Sequence, residues 1–342
     1  MWIGWSKNNP MDSMKGLKPI FDEVLTAFNK DGVKEHAYLA KPIGQNGAHY
    51  CGVDHSGNPC LLIKTVDSKT KPPIKLESLE VLFSGHCEVS FSGSSQSITL
   101  TSIVCKNTDK SVHSYFVHIC EVLLDVVGVR PGIDDVYTAV NQLVSLFRKL
   151  SSPTGKSVTG LVGELLFISR ARSVRDAVEM WRSYDDDRYD FASDDFRIEV
   201  KSSKGRSREH SFSIEQCTPP AGAVGLLVSI FIESSGGGKT LASLINDIEL
   251  ELKDDSRLVL KMQEGIAETL GASLPHALLT RFDEKLAISS MAYYYLDSVP
   301  CPVGVPVEVS QVRFKSDLSG CDPLEVKDLF ATYPKLIPLL PS

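Results

Sequence analysis

Residues 189–203 read YDFASDDFRIEVKSS, and this stretch decides how the middle of the chain folds. Side chains alternate between the two faces of a β-strand, so the apolar Ile198 and Val200 of RIEVK point together into a core. Glu199 and Lys201 then share the opposite face. A pair of opposite charges on one strand face is common on solvated sheets, so these two residues alone do not indicate a function.

A second strand precedes this one. Asp190 stands between two aromatic residues with the same alternation, and the Ser-Asp-Asp at 193–195 is typical of a turn. A hairpin about residue 194 would place Asp190 opposite residue 198 or 199, within reach of Glu199. Two carboxylates held close repel each other unless a cation lies between them, and hard divalent cations such as Mg²⁺ prefer oxygen ligands. The hairpin therefore predicts a cation site.

A helix upstream supplies a third carboxylate. The segment SVTGLVGELLFISRA (157–171) has helical periodicity, with Glu164 on or beside its apolar stripe. Gly160 and Gly163 allow this helix to pack closely against a sheet. A carboxylate that faces a core is costly unless it is paired or bound to a metal. One interpretation is a buried salt bridge between Glu164 and Lys201, and the other, which the order of helix and hairpin favours, is the convergence of three carboxylates and a lysine.

A glutamate on a helix, an aspartate, and then Glu-X-Lys on the next strand resemble the PD-(D/E)XK nuclease superfamily. The segments that resemble the bacterial PD-(D/E)XK motif proteins more narrowly are GLVGELLFI (160–168), Trp181, YDF (189–191), IEVKSS (198–203) and HSFSIEQC (210–217). The resemblance implies a restriction-endonuclease-like αβββαβ core, Mg²⁺- or Mn²⁺-dependent cleavage of DNA as an endonuclease, and a role in restriction or anti-phage defence. One departure is that Tyr189 replaces the proline of the motif's name.

The resemblance also implies a role for each site residue. Asp190 and Glu199 would bind the metal ion, with the backbone carbonyl of Val200 as a further ligand. Lys201 would orient or activate the attacking water. Glu164 would complete the metal shell or hold a second ion. These assignments fit metal-assisted phosphodiester hydrolysis, in which an ion activates water and stabilises negative charge.

Residues after the Glu-X-Lys strand are further candidates. Gln216 would support the site from the following helix, although it could equally mark the start of a surface helix. A short basic segment beside the site favours contact with DNA phosphates, which accept half or more of typical protein–DNA hydrogen bonds. The residues expected to contact the nucleic acid are Lys204, Arg206, Arg208, Ser202, Ser203 and His210.

The remainder of the chain favours an α/β protein of several domains. A length of 342 residues exceeds one typical core. A helix is expected over 14–30 and short strands over 36–127, the last of them in SYFVHICEVLLDVV (114–127). After the nuclease region we expect a strand AVGLLVSIFI, a loop ESSGGGK, three helices (240–253, 256–270 and 276–288) and two strands. The predicted domains are a β-rich recognition or partner domain (1–130), a linker helix (131–155), the nuclease core (156–235) and an α/β extension (236–342).

Composition narrows the class of protein. The net charge of −7 is not that of a basic nucleic-acid coat. No apolar run reaches the roughly 18 residues of a transmembrane helix, and the first residues lack a signal-peptide stretch. A cytoplasmic protein without a membrane partner is therefore expected. The eight dispersed cysteines predict reduced, mostly buried thiols.

Other functions are left as alternatives. The chain could be a non-catalytic nucleic-acid-binding or scaffolding subunit of a defence complex, with other proteins of the same locus or a second copy of itself as partners. The GGGKT at 236–240 resembles a phosphate-binding loop, although Glu233 replaces the first glycine that such a loop requires. The segment HYCGVDHSGNPC (49–60) predicts a hairpin and not a zinc site.

Overall fold

The computed structural model describes residues 16–43, 47–67, 69–91, 93–152, 157–183, 188–306 and 308–341. The chain divides into two compact units, one up to Ser152 and one from Pro153 onward. The helix that we expected as a linker belongs to the first unit. The segment expected as a C-terminal extension shares the second unit with the predicted nuclease core.

The first unit is a β-barrel with helices. Its strands are β1 (Ala37–Ile43), β2 (His49–Asp54), β3 (Pro59–Ile63), β4 (Ile74–Lys75), β5 (Leu79–Phe91) and β6 (Ser94–Cys105), and its helices are α1 (Leu17–Asp31), α2 (Lys110–Val127) and α3 (Ile133–Leu150). The strand order β1-β2-β3-β6-β5-β4 closes on itself, because β1 also pairs in parallel with β5. The hairpin predicted at residues 49–60 is confirmed as the β2–β3 pair.

The prediction of a strand over residues 114–127 is wrong, because this segment lies in α2. Its aromatic and β-branched residues suggested a strand. The buried positions instead repeat at helical spacing, as shown by Phe116, Ile119, Leu123 and Val127. Asp109 begins the helix by accepting a hydrogen bond from the backbone N–H of Ser111, at 2.9 Å.

The second unit mixes helices with short sheets, as the α/β class predicts. The helices are α4 (Val158–Arg170), α5 (Val174–Met180), α6 (Leu241–Glu251), α7 (Ser256–Leu270), α8 (Leu274–Ala277), α9 (Glu284–Ser289) and α10 (Val326–Thr332). The strands are β7 (Phe191–Ala192), β8 (Phe196–Ser203), β9 (Glu209–Ser213), β10 (Val224–Phe231), β11 (Ser234–Thr240), β12 (Arg281–Phe282), β13 (Ala292–Tyr295) and β14 (Arg313–Asp317). A four-stranded sheet in the order β13-β10-β8-β7 holds the predicted site, with β8 and β10 parallel.

Two expectations for this unit are wrong. The segment ESSGGGK is not a loop, because most of it forms β11, which pairs with β12. The expected helix over 276–288 is interrupted by β12 and survives as the short α8 and α9. Glycine permits this pairing, because a Cβ at Gly238 would lie 2.1 Å from the carbonyl oxygen of Phe282. Sequence periodicity does not reveal such a close approach of two backbones.

The composition led to expectations about the cysteines and about membrane-spanning helices. All eight cysteines are free thiols, six of them buried. Among the residues that the structure describes, no helix is long and apolar enough to cross a membrane.

The hairpin predicted from YDFASDDFRIEVKSS is confirmed. Phe191 pairs with Ile198 in antiparallel register, and the turn is closed by a 3.0 Å hydrogen bond from the N–H of Ser193 to the carbonyl of Phe196. The helix α4 packs on β8. Gly163 allows this contact, because a Cβ there would lie 1.9 Å from the Oγ of Ser202.

The two glycines of α4 provide a matched test of this packing. We expect Gly163→Ala to lower the free energy of unfolding by about 1–3 kcal/mol, because Ser202 or the helix must shift. Gly160→Ala should instead raise it by about 0.5–1 kcal/mol, because its Cβ meets only Ser157, at 3.9 Å, and alanine favours the helix. Urea denaturation measures both, and equal stability of the two variants would contradict the close packing.

Candidate functional site

Glu199 and Lys201 lie side by side on β8, as strand alternation predicts. The Nζ of Lys201 lies 2.5 Å from the Oε1 of Glu199. The side-chain amide of Gln216 donates to the same oxygen at 2.8 Å. Glu199 is only 5% exposed, and both of these contacts leave its Oε2 unused. One carboxylate oxygen of Glu199 is therefore held by two donors within the fold.

Asp190 immediately precedes β7, where the register of the hairpin continues opposite Glu199. Its Oδ2 accepts a 2.8 Å hydrogen bond from the backbone N–H of Val200. Burial, together with the charges of Glu164 and Glu199, raises the pKa of Asp190 well above its ordinary value, despite the opposing effects of Val200 and Lys201. The three carboxylates are therefore close enough for the charges of Glu164 and Glu199 to add to the effect of burial on Asp190.

The charges at this site depend on one another. Burial raises the pKa of Glu199, although Lys201 and the hydrogen bond from Gln216 counteract this effect. Burial lowers the pKa of the Lys201 ammonium, but the charge and hydrogen bond of Glu199 and the charge of Asp190 outweigh it, so the pKa of Lys201 is raised. Lys201 is therefore a cation at neutral pH.

Glu164 is buried, with 8% of its surface exposed, and among the described residues it does not form the less favoured alternative, a salt bridge to Lys201. Its Oε2 instead accepts hydrogen bonds from the indole Nε1 of Trp181 and from the Nη2 of Arg182, both at 2.8 Å. Sequence reasoning missed this pair of partners. Trp181 carried the family resemblance, but the strand and helix patterns gave no sign that it contacts Glu164.

The position of α4 explains why Glu164 differs from the other carboxylates. The helix packs on the face of β8 that carries Val200 and Ser202, which lie beside Gly163. Glu199 and Lys201 project from the opposite face of β8, where Lys201 lies 5.5 Å from the centre of the Phe212 ring. The sequence pattern predicted convergence but could not show that the carboxylates come from two sides of one strand.

Gln216 reaches the site, but not from a helix. It lies in a turn after β9, where its Oε1 accepts from the N–H of Ser213 at 3.1 Å. Its amide nitrogen also donates to the carbonyl of Arg188 at 3.0 Å. These contacts fix the amide so that it donates to Glu199. The expected helix is absent because this turn leads directly from β9 toward β10.

Two residues expected to contact nucleic acid are used by the fold itself. Arg208 donates to the carbonyls of Ser229 and Ser290, at 3.0 and 2.6 Å, and its guanidinium lies 4.5 Å from the Phe231 ring. His210 is 5% exposed, and its Nε2 lies 2.7 Å from the Oγ of Ser229. The sequence pattern could not distinguish the half-buried Arg208 and the buried His210 from the exposed side chains beside them.

The rest of the basic segment is exposed. Lys204 and Arg206 lie at the surface, where Arg206 pairs with Glu233 at 2.9 Å. The Oγ of Ser203 donates to the carbonyl of Gly205. The Oγ of Ser202 is buried without a hydrogen-bond partner among the described residues. Lys204 and Arg206 are therefore the cations of this segment whose side chains are exposed.

The carboxylates present are more typical of a magnesium site than of a site in which the protein supplies every ligand. In proteins Mg²⁺ is usually held by one or two carboxylates, with waters and substrate phosphates in the other positions. Asp190 and Glu199 meet this requirement. Across the described part of the chain, no three His, Cys, Asp or Glu side chains are placed to hold one ion together. Glu164 is directed to Trp181 and Arg182 instead.

The GGGKT segment is not arranged as a phosphate-binding loop. Lys239 lies in β11, and its Nζ is 2.6 Å from Asp247 and 2.5 Å from Glu284. The hydroxyl of Thr240 accepts a hydrogen bond from Ser243 at the start of α6. A lysine held by two carboxylates is not free to bind a nucleotide phosphate, so the nucleotide-binding alternative loses its support.

A helix glutamate, an aspartate before a short strand, and a paired Glu-X-Lys on the next strand are the features of a nuclease-like protein. The chain belongs to the family DUF4420, whose model matches residues 26–319 and is described as "Putative PD-(D/E)XK family member". The match includes residues of both units. No curated protein matches the chain, and no solved structure does so.

The buried His210 predicts a specific loss of stability in acid. Burial, with the charges of Lys201 and Arg208, lowers the pKa of His210 from 6.5 to about 4. As the pH falls, the unfolded chain therefore binds a proton at this histidine before the folded protein does. The free energy of unfolding decreases by about 1.4 kcal/mol per pH unit as the pH falls from about 6.5 to about 4.

This loss can be measured by urea denaturation between pH 7 and pH 4.5. We expect His210→Gln to remove the corresponding part of the pH dependence, and His276→Gln, at an exposed histidine of the same unit, to leave it unchanged. An identical pH dependence in wild type and His210→Gln would contradict the buried neutral state of His210.

Proposed function

We propose that this protein is a Mg²⁺- or Mn²⁺-dependent nuclease that hydrolyses phosphodiester bonds in DNA. The observation that carries the proposal is the cluster of Asp190, Glu199 and Lys201 on one hairpin, with the charge of a third carboxylate, Glu164, acting on the first two. Family membership supports it. All four residues of the motif are present in the chain, and this supports the proposal, since a site without activity usually loses some of them.

The order of the elements supports a restriction-endonuclease-like core. The helix α4 is followed by the short α5, by β7, β8 and β10, then by further helices, and then by β13. These four strands form the single sheet β13-β10-β8-β7. This matches the αβββαβ order of the superfamily, provided that β9, β11 and β12 are treated as additions outside the sheet.

The residues of the chain suit the parts of a hydrolytic reaction. Asp190 and Glu199 would hold the metal ion, with the carbonyl of Val200 as the additional ligand implied by the resemblance. When bound, the ion would lower the pKa of a coordinated water and offset the charge of the phosphate. Lys201 is a cation beside both carboxylates, so its ammonium can orient the attacking water and stabilise negative charge as the phosphate reacts.

The surroundings of Lys201 hold it in place for this role. Its Nζ contacts Glu199 and lies over the Phe212 ring, which is buried. Gln216 fixes the orientation of Glu199 from the other side. A positioned cation next to an apolar ring acts in a region with little water, where electrostatic stabilisation is stronger than in solvent.

Outside the site, we propose that Lys204 and Arg206 contact DNA phosphates, because both side chains are exposed close to β8 in the chain. A place in a restriction or anti-phage system, with other proteins of such a system as partners, is part of the same proposal and follows from the family resemblance. The first unit would then recognise DNA or a partner protein.

Cleavage of supercoiled and linear DNA with Mg²⁺ or Mn²⁺ tests the function. We expect Lys201→Ala to reduce the cleavage rate by about 10²–10³-fold, the usual effect of removing one group that stabilises transition-state charge. Chelation of the metal with EDTA should abolish cleavage, and excess Mg²⁺ should restore it. Lys253→Ala removes an exposed lysine elsewhere in the same unit and should cleave at the wild-type rate.

Cleavage by Lys201→Ala at the wild-type rate would show that the proposed site is wrong. A wild-type protein that cuts no DNA with either metal, even with its partner proteins, would favour the alternative of a non-catalytic scaffolding subunit.

A further inference from the structure

Arg182 joins the elements that carry the carboxylates. Its Nη2 donates to the Oε2 of Glu164 at 2.8 Å. Its Nη1 donates to the hydroxyl of Thr269 at 2.7 Å and to the carbonyl of Gly265 at 3.0 Å, both on α7. Its backbone N–H donates to the carbonyl of Asp190 at 2.9 Å. One residue therefore links α4, α7 and the start of the hairpin.

The conformation of Arg182 is unusual. Its φ of 49° lies in the left-handed region, which residues other than glycine seldom adopt. Local strain of this kind persists only where the surroundings impose it, and it is frequent at functional sites. Here the hydrogen bonds to Asp190, Gly265 and Thr269 hold the backbone and the guanidinium in place together.

Trp181 fixes Glu164 from a second direction. The indole is 1% exposed and donates to the same oxygen that Arg182 contacts. Gly265 makes room for the ring, because a Cβ there would lie 2.8 Å from it. The guanidinium of Arg182 also lies 4.6 Å from the indole ring. Glu164 is thus held by two donors that are themselves held by α7.

The charges of the cluster are unequally matched. Lys201 pairs with Glu199, and Arg182 pairs with Glu164. Asp190 has the backbone N–H of Val200 as a donor but no cation in direct contact among the described residues. Of the three carboxylates, Asp190 is therefore the one that neither fixed cation contacts directly among the described residues.

We propose that Arg182 takes the place of a second metal ion: it neutralises Glu164, keeps it out of the coordination shell and restricts the site to one divalent cation held by Asp190 and Glu199. This inference rests on the proposed metal-dependent function and replaces the expectation that Glu164 binds metal. The Oε2 of Glu164 accepts from both Trp181 and Arg182, so an ion that approached the carboxylate would meet the guanidinium at its edge. The guanidinium would remain anchored to α7 and would repel the incoming cation.

The number of Mn²⁺ ions bound per chain tests this role without relying on activity. Isothermal titration calorimetry of the metal-free full chain should give one ion for wild type. Arg182→Gln removes the charge, so we expect a second ion or an affinity for Mn²⁺ higher by about tenfold. Arg182→Lys keeps the charge and should bind one ion, as wild type does, which separates the charge from the shape of the side chain.

A second variant keeps the test informative if Arg182→Gln does not fold, which circular dichroism would show. Glu164→Gln leaves the positive charge of Arg182 unmatched, so we expect it to bind one ion about tenfold more weakly than wild type. If Glu164 held a second ion, wild type would bind two ions and Glu164→Gln would bind one.

The outcomes separate this inference from the proposed function. Two ions in wild type, or an Arg182→Gln variant that binds one ion with wild-type affinity, would overturn the role of Arg182 and leave the metal-dependent nuclease intact. No binding of Mn²⁺ by wild type or any variant would overturn the metal centre itself, and the role of Arg182 with it.

Discussion

Three neighbouring carboxylates in the second unit, the buried Glu164 and Glu199 and the half-buried Asp190, impose the constraint on which the rest of the site depends. Buried like charges raise one another's pKa, and folding tolerates them only where cations or donors offset the charge. Lys201 does this for Glu199 and Arg182 does it for Glu164. Asp190 receives the smallest compensation, and its pKa is raised well above the ordinary value.

Two close backbone contacts in the second unit bring the three carboxylates together. The hairpin of β7 and β8 places Asp190 opposite Glu199, while Gly163 lets α4 approach β8 closely enough to bring Glu164 to the same corner. The helix α7 then supports the site from outside the sheet, because it anchors Arg182 and makes room for Trp181. The helix α7 is distant in sequence from the motif, yet it holds in place Arg182, the cation that offsets the charge of Glu164.

Much of the site was predictable because it depends on local geometry. Strand alternation placed Glu199 and Lys201 on one face, and the Ser-Asp-Asp turn set the register that aligns Asp190. The failures share a different cause. Residues 114–127 are helical despite a strand-like composition, and the segment at 233–239 is mostly a strand because its glycines allow close pairing with β12. Tertiary contacts overrode the local signals in both cases.

The sequence by itself determined the family of the protein, the hairpin and the residues of its motif, because these depend on spacing along a few adjacent segments. Only the tertiary structure decided what those residues contact. It paired Glu164 with Arg182 and not with Lys201, placed Gln216 in a turn, and bound the side chains of Arg208 and His210 to residues of the fold itself. These partners join segments as far apart as α4 and α7, and the periodicity of a single segment carries no information about such distant contacts.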